Sequence, residues 1–103
     1  MTNLEKLQNW YLAQTNGDWE HSYGIKIQTT DNPAWHIEID LNETPFETVE
    51  KDYHLHQKSE QDWYAFQIKN KTFVGVGDIS KLDFLLGIFF QLIENQSFTS
   101  ELS

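Results

Sequence analysis

The chain contains no arginine and no cysteine among its 103 residues. The absence of cysteine excludes disulfides and thiol chemistry, which fits a reducing compartment. The absence of arginine removes the usual bidentate side-chain clamp for phosphate or carboxylate ligands. Sixteen acidic residues against seven lysines give a formal net charge of −9, and this charge repels a nucleic-acid backbone. We therefore expect no nucleic-acid partner.

Long apolar runs are missing as well. The longest, residues 84–90, is interrupted by Gly87 and falls far short of the roughly 20 residues that a membrane helix needs. Residues 1–8 also lack the apolar core of a signal peptide. We expect a soluble, cytoplasmic protein with no membrane partner. Its length predicts one domain, residues 1–103, with a single core but little depth for a walled active site.

Hydrophobic periodicity predicts a helix, several strands and a second helix. Leu4, Leu7 and Tyr11 recur at helical spacing, so residues 4–15 are expected to form an amphipathic helix. A final helix, with Leu85 and Phe89 on its core face, is expected to run to about Asn95. Alternating apolar residues predict strands near residues 23–29, 35–41, 52–57, 63–69 and 72–76.

This order of elements predicts an α+β fold, an antiparallel meander of about five strands flanked by an N-terminal and a C-terminal helix. The best-defined hairpin joins residues 23–29 to residues 35–41 through Asp-Asn-Pro-Ala at residues 31–34, which supply turn chemistry. Two helices on one face of the sheet would bury that face and leave the other in water. Free sheet edges could pair between two copies of the chain, so a homodimer remains one alternative.

Residues 17–24, Gly-Asp-Trp-Glu-His-Ser-Tyr-Gly, concentrate acidic, aromatic and imidazole groups between the first helix and the first strand. In a loop, such residues serve recognition more often than packing. The candidate partner-binding residues are Asp18, Trp19, Glu20 and His21, with Asp31 and Trp35 further along the chain. Trp19 and Tyr23 could equally roof a small core, with Gly17 ending the helix.

Most of the net charge lies between residues 31 and 62, where nine acidic residues accompany two lysines. Glu38 and Asp40 alternate with apolar residues, so they are predicted to share a solvated strand face, which Asp52 could join. A negative surface steers a basic partner, although acidic residues also serve solubility alone. Because the charge is so unevenly distributed, we favour a basic protein partner and add Glu38 and Asp40 to the partner-binding candidates.

Residues typical of catalysis or metal binding are present but poorly arranged. His54 and His56 should emerge on one strand face. A metal could bridge them with His36 or Asp52 as a third ligand, but the sequence alone does not place His36 beside them. The carboxylates of Glu38 and Asp40 on a flat strand face would be too well solvated for acid and base roles. We expect no metal site, no cofactor and no catalytic residue, and therefore no enzyme.

A second hypothesis from a different class remains open. In it, the protein is a small-molecule-binding domain or a small enzyme, with a pocket around Trp19, Glu20 and His21. His21→Ala would then abolish turnover or ligand-induced stabilisation. Burial of these three side chains in packing would remove this hypothesis.

Linked runs in the first forty residues resemble the immunity protein 53 family. They are Leu-Gln-Asn-Trp-Tyr at 7–11, Gly-Asp-Trp-Glu-His-Ser-Tyr-Gly-Ile-Lys-Ile at 17–27, Thr-Asp-Asn-Pro-Ala-Trp at 30–35 and Glu-Ile-Asp-Leu at 38–41. Membership implies a bacterial cytoplasmic protein that binds a cognate polymorphic toxin domain and blocks it without performing chemistry. The resemblance carries over no catalytic residues. The resemblance does not decide whether the motif residues, such as Trp19 and Trp35, are needed for folding or for toxin contact.

Overall fold

A computed structural model describes residues 1–102, with side chains described for residues 1–94. The elements are α1 (Asn3–Gln14), α2 (Trp19–Ser22), β1 (Ile25–Thr30), β2 (Ala34–Asp40), β3 (Lys51–Ser59), β4 (Asp62–Lys69), β5 (Thr72–Gly77), a 3-10 turn (Ile79–Lys81) and α3 (Leu82–Leu102). The predicted α+β class, with five antiparallel strands between two terminal helices, is confirmed. The short α2 was not predicted, and α3 is longer than expected. Among the described residues, no helix is both long and apolar enough to cross a membrane.

The strand order is β1-β2-β5-β4-β3, so the expected simple meander is wrong. β2 pairs with β5, with Ile37 opposite Gly75, and β3 lies at the far edge beside β4. The composition of the strands explains this order. β5 is apolar on both faces, with Phe73 on one and Val74 on the other, which suits a central strand. β3 is largely exposed, and its charged side chains suit an edge.

Local turn chemistry fixes two hairpins, of which the first, between β1 and β2, is expected from the sequence. β1 and β2 pair from Ile25 opposite Ile39 to Thr30 opposite Ala34. β4 and β5 are joined by Asn70 and Lys71, whose φ angles are 54° and 62°. Positive φ at both central residues is the geometry that matches the twist of a two-residue hairpin.

The hydrophobic core lies between the sheet and the two long helices. Ile37, Ile39 and Phe73 are completely buried on the sheet, and the ring of Phe89 in α3 packs 5.2 Å from that of Phe73. The ring of Trp10 in α1 meets Phe89 at 5.4 Å in an edge-to-face arrangement. These contacts hold both helices on one face of the sheet, as expected for a half-solvated antiparallel sheet.

The opposite face, which we call the open face, has no helix over it in the described part of the chain. Ala65 is buried there at the centre of β4, outside the main core cluster. The pairing registers place the following residues on this face: Lys26, Gln28, His36, Glu38, Asp40, Val74, Val76, Ala65, Gln67, Leu55 and Gln57. The open face therefore has an apolar half on β3–β5 and a polar half on β1 and β2.

Candidate partner-binding surface

Trp19, the most prominent residue of the 17–24 motif, is part of the core. Its side chain is only 3% exposed, and its indole Nε1 donates a hydrogen bond of 2.8 Å to the backbone oxygen of Asn42. Its ring lies 6.1 Å from those of Trp10 and Tyr23. Trp19 therefore packs in the core, which is one of the two roles that the sequence left open for it. Trp19 can influence a partner only through the exposed residues that it holds in place.

Glu20 organises the loop that precedes it. Its carboxylate accepts hydrogen bonds from the backbone amides of Asn16 at 3.0 Å and Gly17 at 2.9 Å. Together with the amide of Glu20 itself, these bonds lower the pKa of the Glu20 carboxyl. Gly17 has a φ of 95°, a conformation that favours glycine. Two of the three side chains in the pocket hypothesis are therefore committed to the fold, whereas Asp18 and His21 are exposed.

Glu38 and Asp40 lie on the same strand but have different surroundings. The side chain of Glu38 is 40% exposed on the open face, and its Oε1 lies 3.1 Å from Nε2 of His36. The Oδ2 of Asp40 instead accepts a 2.9 Å hydrogen bond from the backbone amide of Gly24. Glu38 is thus available to a partner, while Asp40 ties the start of β1 to the end of β2.

Asp31 and Trp35 lie at the other end of the β1–β2 hairpin. Asp31 is exposed in the turn, and Nε1 of Trp35 donates a 2.8 Å hydrogen bond to the backbone oxygen of Ile79. β2 spans seven residues, a length of roughly 20 Å at the usual rise of a strand. The eight predicted residues therefore do not lie in one compact cluster, because Trp19 and Glu20 lie beyond one end of β2 and Asp31 lies beyond the other.

A cleft opens at the Asp31 end of the sheet, between the β1–β2 turn and the β3–β4 turn. Its lining comprises Asn32, Pro33, Gln57, Glu60, Gln61, Trp63, Asp78, Ile79 and Ser80. We call this cleft the terminal notch. These residues form no recognisable pattern along the chain, because three turns distant in sequence form the notch together. A second cleft, between α1 and α3, includes Trp10, Phe46 and Phe90. Neither cleft is lined by Trp19, Glu20 or His21.

Asp78 fixes the floor of the terminal notch. Its carboxylate accepts hydrogen bonds from the amide of Trp63 at 2.9 Å, the amide of Ser80 at 2.8 Å and Nζ of Lys81 at 2.8 Å. Burial of Asp78 raises the pKa of its carboxyl, but the bonds from Lys81, Ser80 and Trp63 outweigh burial and hold that pKa well below its ordinary value. The negative charge is therefore permanent near neutral pH.

The strand histidines lie over aromatic rings. His56 stacks on Tyr64 with centroids 5.1 Å apart, and His54 lies 5.2 Å from Phe66. The two histidines thus share one sheet face, as their spacing predicts. Within the described part of the chain, no three histidine, aspartate or glutamate side chains are grouped to hold a metal ion.

The family model described as Immunity protein 53 matches residues 4–94 of this chain. The match extends far beyond the first forty residues, where the resemblance is strongest in the sequence itself. It includes the open face and all three turns of the terminal notch. No curated protein and no solved structure matches the chain.

Proposed function

Because this chain belongs to the immunity protein 53 family, we propose that it binds a cognate polymorphic toxin domain in the bacterial cytoplasm and neutralises it. The family match is the observation that carries this proposal. The protein would act as a stoichiometric inhibitor, covering the toxin surface without catalysing a reaction and without a cofactor. Which toxin domain the protein recognises would then depend on the shape and the charge of its binding surface.

Charge supports a basic toxin domain as the partner. The formal net charge is −9, and several carboxylates on exposed positions are distributed around the sheet rather than in the core. Asp52 and Glu60 are exposed, and the side chain of Glu38 is 40% exposed. Complementary charge raises the association rate of two proteins more than it tightens the final complex. The association rate should therefore fall as salt is added.

The open face supports a protein partner rather than a small ligand. It combines apolar residues of the central strands, such as Val74 and Val76, with the half-exposed Leu55 at the edge. Glu38 and His36 border this apolar half on β2. An apolar centre with a polar rim is the usual composition of a protein–protein interface, and a flat sheet face offers area rather than depth.

Co-expression with the toxin domain encoded beside this protein tests the proposal. We expect the protein to restore growth of cells that produce the toxin domain, and the two chains to co-purify as a complex of fixed stoichiometry. A catalytically inactive toxin variant would permit purification without selection against toxicity. Loss of both rescue and complex, with both proteins folded and expressed, would contradict the proposal.

The contribution of the open face needs a variant that leaves the sheet intact. Glu38→Lys combined with Asp52→Lys reverses two charges, one on β2 within the open face and one at an exposed position of the edge strand β3. Asp52 lies in the register shift of β3 opposite the open-face residue Gln67. Asp40 is unsuitable because its carboxylate holds the amide of Gly24. The double variant should slow association with the toxin at least tenfold at low salt and lose most of the salt dependence.

The matched control reverses the same number of charges on the helical side. Asp83 and Glu94 are exposed on α3, so Asp83→Lys with Glu94→Lys changes the net charge equally without altering the open face. This control should retain most of the association rate of the wild type. Equal losses in both double variants would attribute the effect to net charge alone and would contradict binding through the open face.

A further inference from the structure

We infer that the terminal notch receives one basic side chain, an arginine or a lysine, from the toxin domain, and that this contact anchors the complex. The inference rests on the proposed function and specifies the partner chemistry at one end of the open face. Gln57 and Trp63, which line the notch, are opposite each other on β3 and β4. The notch is therefore continuous with the sheet rather than a separate site.

The apolar part of the notch suits the aliphatic stem of such a side chain. Ile79 belongs to the lining of the notch and is 67% exposed, although its neighbours Asp78 and Gly77 are buried. Trp63 is the one aromatic residue of the lining and is only partly buried. Long basic side chains bury their methylene groups on apolar surface and keep the cationic head in a polar environment. An indole face additionally attracts a cation.

The polar part of the notch offers acceptors for the cationic head. Glu60 is exposed in the β3–β4 turn and takes part in none of the ion pairs found among the described residues. The side-chain amides of Gln57 and Gln61 lie in the same lining and can each accept a hydrogen bond. A carboxylate and amide oxygens together match the several donors of a guanidinium or ammonium group.

The surrounding charge also favours a cation over an anion. The segments that form the notch carry four carboxylates and two lysines: Asp31, Glu60, Asp62 and Asp78, with Lys58 and Lys81. Lys81 is not free to bind an anion, because its Nζ lies 2.8 Å from carboxylate oxygens of both Asp62 and Asp78. The notch is thus negative overall, with its buried cation already paired.

The floor of the notch is held in place before any partner arrives. Nε1 of Trp35 bonds to the backbone oxygen of Ile79, and the carboxylate of Asp78 bonds to the amide of Ser80. A site that needs no reordering loses less free energy on binding than a flexible one. Residues that fill preformed pockets near fully packed surface are frequent hot spots of protein complexes. Trp35, a predicted partner-binding residue, would thus act by positioning Ile79.

Affinity measurements on the complex with the inactive toxin domain test the inference. Glu60→Lys places in the notch a charge of the same sign as the toxin's basic side chain, and Ile79→Ser removes an exposed apolar side chain from the lining of the notch. We expect each to weaken binding at least tenfold, measured by calorimetry, with far-ultraviolet circular dichroism and melting temperature unchanged. Glu50→Lys is the matched control, because Glu50 is exposed and precedes β3 whereas Glu60 follows it. It should weaken binding less than threefold.

Cross-linking identifies the toxin residue itself. A photoreactive p-benzoylphenylalanine in place of Gln61 should cross-link to a toxin peptide that contains an arginine or lysine. Replacing that basic residue by glutamate should weaken binding to the wild type and restore binding to Glu60→Lys. Wild-type affinity for both notch variants would overturn the inference while leaving the proposed function intact. A wild-type protein that forms no complex would overturn the proposed function, and this inference with it.

Discussion

The carboxylate Oδ2 of Asp78 lies 2.8 Å from Nζ of Lys81, and this ion pair joins the end of β5 to the 3-10 turn that leads into α3. The side chains are 7% and 15% exposed, so the pair is largely shielded from water. The same oxygen accepts a hydrogen bond from the amide of Trp63, which adds β4 to the connection. One buried carboxylate therefore fixes three segments at the end of the sheet where the terminal notch opens.

Replacing Asp78 by asparagine should destabilise the protein by about 3 kcal/mol, because it leaves Lys81 without one partner in a buried environment. Asparagine keeps an acceptor oxygen but loses the charge. Asp62→Asn is the control, since the Asp62 side chain is 47% exposed and contacts the same ammonium group. It should cost clearly less than Asp78→Asn, because solvent screens the exposed carboxylate of Asp62. Urea unfolding at pH 7 measures both, and equal losses would contradict the special role of Asp78.

The effect of Asp78 should also depend on pH in one direction. The pKa of its carboxyl is depressed in the folded protein, whereas an unfolded chain has an aspartate pKa of about 3.9. Its stabilising contribution is therefore complete above the unfolded value and is lost as the pH falls below it toward the folded pKa. The stability difference between wild type and Asp78→Asn should stay constant from pH 6 to about pH 4.5 and shrink as the pH falls further to 3. A difference that stays constant from pH 6 to pH 3 would show that the stabilisation does not come from the charge of Asp78.

Two glycines should respond very differently to alanine. A Cβ added at Gly77 would lie 2.9 Å from Cβ of Lys81 and 3.3 Å from Cδ1 of Leu85, so the 3-10 turn and the start of α3 would have to move away from β5. Gly77→Ala should destabilise by about 2 kcal/mol. A Cβ at Gly24 would meet nothing within 4 Å, so Gly24→Ala should change stability by less than about 0.5 kcal/mol. Thermal unfolding of the two variants is the measurement; similar melting temperatures would contradict close packing at Gly77.

Two buried tryptophans allow one hydrogen bond to be measured. Trp19 and Trp10 are 3% and 8% exposed, so replacement by phenylalanine removes similar apolar surface. Nε1 of Trp19 bonds to the oxygen of Asn42, whereas Nε1 of Trp10 has no partner among the described residues. Trp19→Phe should therefore cost about 1–2 kcal/mol more than Trp10→Phe, since it leaves a backbone oxygen unpaired. The free energy of unfolding of both variants can be measured by chemical denaturation. A larger loss of stability for Trp10→Phe would contradict a stabilising hydrogen bond from Trp19 to Asn42.

The limits of sequence reasoning follow from the range of the interactions. The β1–β2 hairpin and the turn at Asn70 were predictable because a few adjacent residues determine them. The pairing of β2 with β5 was not, since it joins segments some forty residues apart whose alternation is compatible with several neighbours. Nor does sequence reveal which aspartate is buried. Asp78 resembles the other fifteen acidic residues until the fold brings Lys81 and Trp63 to it.

The predicted partner-binding residues fall into exposed and buried ones, and sequence alone does not separate the two groups. Asp18 and Trp19 are adjacent in the most recognisable motif, yet one is exposed and the other is 3% exposed in the core. A family motif records residues needed for folding and residues needed for contact without separating them. The terminal notch shows the converse: residues far apart in the sequence, Pro33, Glu60 and Ile79, come together from three separate turns. No spacing rule along the chain connects them.

Glu38 and Asp40, which the sequence pairs as one acidic feature, should separate experimentally. Asp40→Ala removes the acceptor for the amide of Gly24 and should destabilise the protein by about 1–2 kcal/mol. Glu38→Ala removes an exposed carboxylate beside His36 and should leave stability within about 0.5 kcal/mol. Amide hydrogen exchange at Gly24 should accelerate in Asp40→Ala alone, because that bond protects the start of β1.

Binding should show the reverse order. Glu38→Ala is expected to slow association with the toxin domain severalfold at low salt, whereas Asp40→Ala should retain the association rate once measured at a temperature where it is fully folded. The comparison needs only the two single variants and the inactive toxin domain. If Asp40→Ala slowed association as much as Glu38→Ala while its Gly24 amide stayed protected, Asp40 would be a contact residue, and the acidic surface would extend to the end of β2.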